Sequence, residues 1–345
     1  MSTVTIRDIA RALKIDPSTV SCCLSGNAEK RRISPERIEE VRRTAAAMGY
    51  IPNKLASRIF RRNNKKYLGL IVKNDTANSR VFPVLDYVLQ ELSQRNDCDF
   101  SVLYARGDDF GEAVRNGIGL GIRDFIVIGY ARGIDLKQID LARLPDIRIY
   151  AADYCFGETD DRLPEGFFCV GFDRTACYRE LAGFLNAAGY GPVNIVQAYR
   201  PGENFQKEPD KIYYPFDGIM DLFAFGAEYL APLAEERIRS GKCRTLLLRN
   251  DSLAIGVMDT LLAHGIRIPE DVAVIGFNNA PFSAYAKVPL ASIAPPVLEG
   301  VNILLKGILE DREILPAQYL TPTLVLRCSV PDWDWSSFPF PVVKK

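Results

Sequence analysis

The sequence predicts an α/β body, two doubly wound parallel-sheet lobes, behind an all-α head of three short helices. Three observations carry this expectation. From Tyr67 onward, short β-rich runs alternate with amphipathic stretches. The first fifty residues hold three short helical patterns with their own start and stop signals. The charge is also divided between the two regions. Residues 1–66 hold 15 lysines and arginines against 6 acidic residues, and because the whole chain has 43 of each, the remainder is acidic by the same margin. A basic head on an acidic body suits a head that meets a polyanion, although a solvated basic surface has the same charge.

Length and composition set the frame. At 345 residues, two or more units are expected. With 48% hydrophobic and 25% charged residues the chain is neither disordered nor unusual for a globular protein. No apolar run approaches the roughly 18 residues of a membrane span, and MSTVTIRDIARALK has charges where a secretory signal needs its apolar core. The eight cysteines form no C-x-x-C pair, which suits a reducing cytosol. His264 is the only histidine, so no His-paired metal site is possible. A cytoplasmic protein with no metal, no cofactor and no membrane partner is expected.

In the head, Thr5 is placed to cap a first helix, with Asp8 in capping-box spacing. Ile6, Ile9, Ala10 and Leu13 line one face of that helix. After Lys14-Ile15, Asp16 is a good N-cap and Pro17 sits at a first helical position. The second helix runs to about Leu24, turning Val20 and Leu24 inward and showing Pro17, Ser18, Ser21 and Cys22 outward, with Gly26 ending it. A third helix starts at Ser34-Pro35, carries Ile38, Val41 and Ala45 inward and stops near Gly49. Two short helices with a tight turn and a small polar outer face form a helix-turn-helix, whose second helix enters the major groove. Ser and Thr hydroxyls can bond base edges there, and the Pro17 ring can press on a thymine methyl. A plain helical hairpin would carry the same caps.

The order of these pieces is more specific. Thr5-Ile6-Arg7-Asp8-Ile9-Ala10, then Pro17-Ser18-Thr19-Val20-Ser21, then Leu24, then Gly49-Tyr50-Ile51-Pro52-Asn53 with Ala56, resembles the head of the lac repressor family of bacterial transcription regulators. The resemblance implies a homodimer on a near-palindromic double-stranded operator, regulated by a small molecule. The candidate DNA contacts are then Thr5, Pro17, Ser18, Thr19, Ser21, Cys22 and Asn53, joined in the following linker by Arg58 and Ile59. Residues 53–61 are too short for a stable isolated helix; in the family this hinge folds on DNA and wedges a pair of apolar side chains into the minor groove. The family's leucine position falls on Ile59, for which packing on the body is the alternative role. Arg58, Arg61, Arg62, Lys65 and Lys66 add phosphate contacts. Cys22 stands where the family usually has Arg, Ser25 where it has Asn, and Glu29-Lys30-Arg31-Arg32 makes the following segment longer. The Cys22-Cys23 pair is either a redox switch or, as neighbouring cysteines more often are, inert packing.

In the body the strand candidates are residues 67–72, 100–104, 125–128, 147–151, 168–172, 193–196, 245–248 and 272–275; the helical stretches are 84–95, 174–188, 230–240, 252–264 and 297–310. Such alternation implies open parallel sheets, and about 260 residues is enough for two. The family resemblance extends here through Leu68-Gly69-Leu70-Ile71-Val72, Arg249-Asn250-Asp251-Ser252-Leu253-Ala254-Ile255-Gly256, residues 268–277, and Leu320-Thr321-Pro322 with Leu324, Val325 and Arg327 as a final strand. It implies two periplasmic-binding-protein-like lobes crossed three times by the chain, with an effector, possibly a carbohydrate, between them. Matching effector positions are Asp153, Asn250, Asn278 (where an aspartate is usual) and the aromatic Phe82. Each is otherwise read as a capped turn or a buried polar group. Pro215 replaces the usual arginine before Gly218, and the strand that normally follows is expected to be shortened or absent.

Other chemistry finds no support. Gly117-Ile118-Gly119-Leu120-Gly121 has the wrong spacing for a dinucleotide loop and reads as a glycine-rich turn. No Gly-x-Ser-x-Gly elbow and no paired carboxylates nominate catalytic residues. The tail is rich in Pro and Trp (Pro331, Trp333, Trp335, Pro339, Pro341) and lacks heptads, so it either packs on the body or offers a contact surface. The expected division is a DNA-binding domain at 1–50, a hinge at 51–66, a two-lobed effector and dimerisation domain at 67–330, and the tail at 331–345. The alternative keeps the DNA binding and makes the body an effector-blind dimerisation or protein-contact scaffold.

Overall fold

The computed structural model describes residues 5–24, 33–48, 50, 65–74, 81–106, 109–129, 139–156, 163–199, 208, 210–215 and 222–345. It divides into two compact units, Met1–Lys65 and Lys66–Lys345.

The first unit holds helices α1 (Ile6–Leu13), α2 (Pro17–Leu24) and α3 (Pro35–Ala47). Local chemistry sets their starts. Thr5 and Asp8 form the reciprocal capping box, the Asp8 carboxylate accepting from the Thr5 N–H at 2.9 Å. Asp16 Oδ1 accepts from Ser18 N at 2.7 Å, and Ser34 Oγ accepts from Arg37 N at 3.4 Å. Lys14 adopts the left-handed region with φ 53°, which turns the chain between α1 and α2. Ile9, Ala10, Val20, Cys23, Val41 and Ala45 are buried together. Cys23 takes the fully buried place expected of Leu24, which is only half-buried.

The second unit holds two sheets. The first contains β1 (Lys66–Asn74), β2 (Cys98–Arg106), β3 (Asp124–Ile128), β4 (Arg148–Phe156), β5 (Phe167–Asp173) and, from far along the chain, β11 (Ala317–Tyr319). Its order is β11-β5-β4-β3-β1-β2, all parallel. The second contains β6 (Val193–Tyr199), β7 (Lys211–Pro215), β8 (Thr245–Leu248), β9 (Ala273–Phe277), β10 (Ala291–Ala294), β12 (Thr323–Leu326) and β13 (Val342–Lys344), in the order β13-β12-β10-β9-β8-β6-β7. Here β12 runs antiparallel to β10, so this lobe is mixed.

Both faces of each sheet are covered, which is why the strands read as continuous apolar runs. In β1, Leu68, Leu70 and Val72 face a core closed by α4 (Val81–Ser93) and α10 (Val297–Leu309), while Ile71 faces the core under α5 (Phe110–Gly119). In the second sheet Leu247, Ile275 and Phe277 face α6 (Arg174–Ala187). Leu246, Leu248 and Val274 face α7 (Leu222–Phe225), the π-helical turn Gly226–Leu230 that follows it, α8 (Ala231–Arg239) and α9 (Asp251–Ala263).

Two expectations are corrected, at Gly117 and at the final strand. The segment around Gly117 is helix as far as Gly119 and turns only beyond it; a Cβ on Gly117 would meet the Phe125 ring at 2.3 Å, so this glycine lets α5 lie close on β3. Lys211–Pro215 forms a further strand, β7, which pairs parallel with β6; beyond Pro215, the described residues from Leu222 to Arg239 are helical, with no strand among them before β8. The strand at 323–326 is not the last, because β13 pairs parallel with it. The tail packs on the body: Trp335 and Phe338 lie 5.4 and 5.2 Å from Phe184, and Trp333 stacks on Tyr190 at 4.2 Å.

Candidate nucleic-acid interface and ligand cleft

In the head, burial separates two faces of α2. Val20 and Cys23 enter the core, Pro17, Ser18 and Ser21 are exposed, and Thr19 and Cys22 are half-buried. Thr5 is exposed at the start of α1, where its hydroxyl already bonds Asp8 at 2.6 Å. Pro17, Ser18 and Ser21 thus share the accessible side of the second helix. Arg7, Arg11, Lys14, Arg37, Arg42 and Arg43 of the same unit are also exposed. Two are partly matched, Arg11 by Asp8 at 3.5 Å and Arg37 by Glu40 at 2.6 Å. Asn53, Arg58 and Ile59 lie outside the described residues, as does the longer segment at 29–32.

Burial, followed by the neighbouring Cys22, pushes the Cys23 thiol up, which disfavours thiolate. With zero exposure, Cys23 is a packing residue. Burial also raises Cys98 to about 11 and Cys169 and Cys243 to about 12 in the body.

In the body, topology creates the cleft. The chain crosses between the lobes from β5 to α6, from β10 to α10, and from β11 to β12. The last crossing uses only Leu320–Pro322, and Thr323 then pairs with Ala294, the final residue of β10. Three extended residues span about 10 Å, so the carboxyl edges of the two sheets are held close to each other. Ligands of open α/β sheets bind at such edges.

The four effector candidates divide two and two. Asp153 lies in β4, 1% exposed, within a bulge between Ala151 and Tyr154. Phe82 lies near the start of α4, 75% exposed. Asn250 and Asn278 follow the ends of the neighbouring parallel strands β8 and β9 and so meet at the carboxyl edge of the other lobe. Asn250 Oδ1 caps α9 by accepting from Ser252 N at 2.7 Å, so the structural role proposed for that oxygen is real. Asn278 has φ 104°, a conformation asparagine tolerates better than most residues, and its N–H donates to Ile293 O at 2.9 Å.

The turn that follows Asn278 is held by Asp251, which sequence reasoning quoted without giving it a role. Asp251 is 1% exposed. Oδ2 accepts from Ala280 N at 2.6 Å and Ser283 Oγ at 2.9 Å, while Oδ1 accepts from Ser292 Oγ at 2.7 Å. Ser292 Oγ in turn accepts from Asn279 N at 2.9 Å, and Arg327 bridges Asn279 Oδ1 and Leu290 O, both at 2.7 Å. Burial raises the Asp251 carboxyl to about 6 against the pull of these hydrogen bonds. The carboxylate therefore organises the 278–280 turn.

Two cations were given no role in the sequence: Arg174, which opens α6 at the first crossing, and Arg249, just past β8. Their one sequence signal is an arginine within two residues of the end of a predicted strand. A cavity of about 370 Å³ lies elsewhere, at the amino edge of the first sheet, beside Lys66, Asp124, Arg148 and Asp311.

Residues 213–330 match the periplasmic binding protein-like domain family. The ribose operon repressor of Haemophilus influenzae is 25% identical over 337 residues, covering 94% of this chain and 98% of that protein. The HTH-type transcriptional regulator AscG of Escherichia coli is 25% identical over 351 residues, with the same coverage of 94% and 98%. Among solved structures, the lac repressor dimer bound to operator and the anti-inducer ONPF superposes with a TM-score of 0.71 at 17% identity, over 96% of this chain and 100% of that one. The CelR–cellobiose complex superposes with a TM-score of 0.56 at 18% identity, over 94% and 99%.

Proposed function

Since the chain belongs to the lac repressor family, we propose that it is a sequence-specific DNA-binding transcription regulator, a repressor, working as a homodimer on a near-palindromic operator in the cytoplasm. The observation that carries this reading is the first unit: two capped helices around a tight turn, the second burying Val20 and Cys23 and exposing Pro17, Ser18 and Ser21. Similarity over the whole chain to proteins called repressors supports it. Phe223, Phe282 and Tyr285 are exposed on the second lobe, the kind of apolar surface a second subunit covers.

DNA affinity is set by a small, sugar-like metabolite between the lobes. One similar structure is a regulator's complex with cellobiose, and another a repressor bound to operator and an anti-inducer. The three crossings here form the hinge about which two lobes can close. A ligand that prefers one lobe spacing by about 1–3 kcal/mol shifts the spacing of the paired heads by that coupling energy and no more.

The test starts from a random duplex library. Selection with the full chain should enrich one inverted repeat, and fluorescence anisotropy on it should show affinity falling steeply with salt, because bound cations release counterions. Salt-independent binding rejects the reading. Ile59→Gly should weaken operator bending more than non-specific binding if the hinge wedges the minor groove. The effector-blind alternative draws on the arginine that is missing at Pro215; a melting temperature unmoved across a metabolite panel supports it.

A further inference from the structure

The sequence places Lys66 among the basic residues expected on phosphate, but the structure turns its side chain into the body. Lys66 opens β1 and is the first residue of the second unit, one peptide bond beyond the unit that carries the head. Its ammonium donates to Ile308 O and to Asp311 Oδ1, the latter at 2.5 Å, and its N–H donates to Asp97 O at 3.1 Å. The side chain is 28% exposed. Both acceptors of the ammonium stand at the carboxyl end of α10, 242 and 245 residues further along the chain.

That end of α10 is built for a cation. The last carbonyls of a helix lack partners within it and carry its partial negative charge, so an ammonium there answers both. Asp311 follows the helix with φ 53°, the left-handed conformation that usually falls to glycine. Glycine would relieve the backbone there but would offer Lys66 no carboxylate. The neighbouring charges have partners of their own. Arg95 donates to Asp97 at 2.9 and 2.7 Å, Arg312 pairs with Glu310, and Arg148 lies 3.9 Å from Asp124, which accepts from the Tyr150 hydroxyl at 3.1 Å. The hydrogen bonds from Arg95, and in smaller part the field of Lys66, hold the Asp97 carboxyl down; burial raises Asp124 against the pull of Tyr150, Arg148 and Lys66. A phosphate at Lys66 would have to displace a carbonyl and a carboxylate and approach two further carboxylates.

The other end of α10 lies at the crossings. The helix starts at Val297, just after β10 ends at Ala294, where the chain passes between the lobes for the second time. Its first turn lies against β4: a Cβ on Gly300 would meet Ala152 O at 3.1 Å, beside the bulge that holds Asp153. Val301, Leu304, Leu305 and Ile308 are buried along it, so the helix is fixed to its sheet. Its 13 residues span about 20 Å. One rigid element therefore runs from the second crossing, past the Asp153 bulge, to the residue that receives the head's linker.

We propose that Lys66 is a positioning residue for operator binding: tied to Ile308 O and Asp311, it fixes where the head's linker leaves the body, and it makes no phosphate contact. This rests on the reading of the chain as an operator-binding homodimer. Two heads bind one duplex tightly only while their attachment is held, so a loosened attachment lowers the effective concentration of the second head without touching the contacts of the first. An exposed ion pair stabilises a fold little, so the loss falls on operator affinity and not on melting.

The test uses the full chain, its selected operator and a scrambled duplex. Lys66→Gln and Asp311→Asn should each weaken operator binding about threefold to tenfold, with scrambled-duplex binding and the melting temperature unchanged. The two substitutions together should be no worse than Lys66→Gln alone, because both break one tie. Lys66→Arg keeps the cation and should recover most of the loss. Salt separates the two roles of Lys66: losing a phosphate contact lowers the slope of affinity against salt by about 0.9 for each phosphate, whereas the slope of Lys66→Gln should equal that of the wild type. A lowered slope overturns the proposal. So does tighter operator binding by Asp311→Asn, the result of removing an acid near DNA, or operator binding that neither variant changes. Loss of operator and scrambled binding together, or a lowered melting temperature, makes Lys66 a stability residue and overturns it as well. A wild type that enriches no repeat overturns instead the reading of the chain as an operator-binding dimer.

Discussion

Replacing Asp251 with alanine should destabilise the body by about 4 kcal/mol. The substitution leaves three donors without their acceptor: Ala280 N, Ser283 Oγ and Ser292 Oγ, now bonded at 2.6, 2.9 and 2.7 Å. All three belong to buried residues, with Ser283 and Ser292 at zero exposure. An orphaned buried donor costs about 1–3 kcal/mol. Three would cost about 3–9, and a water entering the space of the lost carboxylate recovers part, which leaves about 4. For a unit of this size about 1 kcal/mol moves the melting temperature by about 2–4 °C, so a drop of about 10 °C is expected in calorimetry of the full chain. Ser283→Ala, which removes one donor and leaves the carboxylate two, should cost only about 1 kcal/mol. Because the same carboxylate holds the turn that follows Asn278, Asp251→Ala should also lose its response to effector. A melting temperature within 2 °C of the wild type would refute the argument, since it would mean that these donors find other partners.

The remaining predictions concern pH, the head and the tail. The Asp251 carboxyl is raised to about 6 in the folded chain, above its ordinary value of 3.8, so the folded state binds the proton more tightly. Its stabilising contribution is complete below about pH 4 and is lost as pH rises through about 6, by about 3 kcal/mol in all; the stability difference between the wild type and Asp251→Asn, followed by urea unfolding from pH 4 to 7, should shrink by that amount. Val20→Ala opens a cavity in a small core where Val20 has zero exposure; a cost of about 2–3 kcal/mol should abolish operator binding and leave the body's melting transition in place. Trp335→Ala removes a 7% exposed ring stacked 5.4 Å from Phe184 and should cost about 3–5 kcal/mol, read as an earlier body transition with the head's DNA affinity unchanged.

The parts of the fold legible in the sequence are those whose signal is local. The Thr5–Asp8 box, Asp16-Pro17 and Ser34-Pro35 mark helix starts because each satisfies free N–H groups within three residues of chain. The apolar runs at 67–72, 245–248 and 272–275 mark strands buried on both faces. Strands such as β7 and β13 escaped because they sit at sheet edges, where burial leaves little pattern in Lys211-Ile212-Tyr213-Tyr214-Pro215 or Val342-Val343-Lys344. The site was half legible for the same reason. Asn250 and Asn278 stand beside recognisable motifs, whereas the role of Asp251 depends on Ala280, Ser283 and Ser292, roughly 30 to 40 residues away. Arg174 lies against the ring of Phe277, about a hundred residues further on, which no local pattern shows.

The account rests on paired heads gripping one duplex, and the most direct measurement is the mass of the complex on a selected operator, taken together with affinity for a single half-site. Two chains per duplex, with binding weakened at least a hundredfold when one half-site is scrambled, is the predicted result. One chain per duplex, or equal affinity for the intact and scrambled sequences, would contradict it.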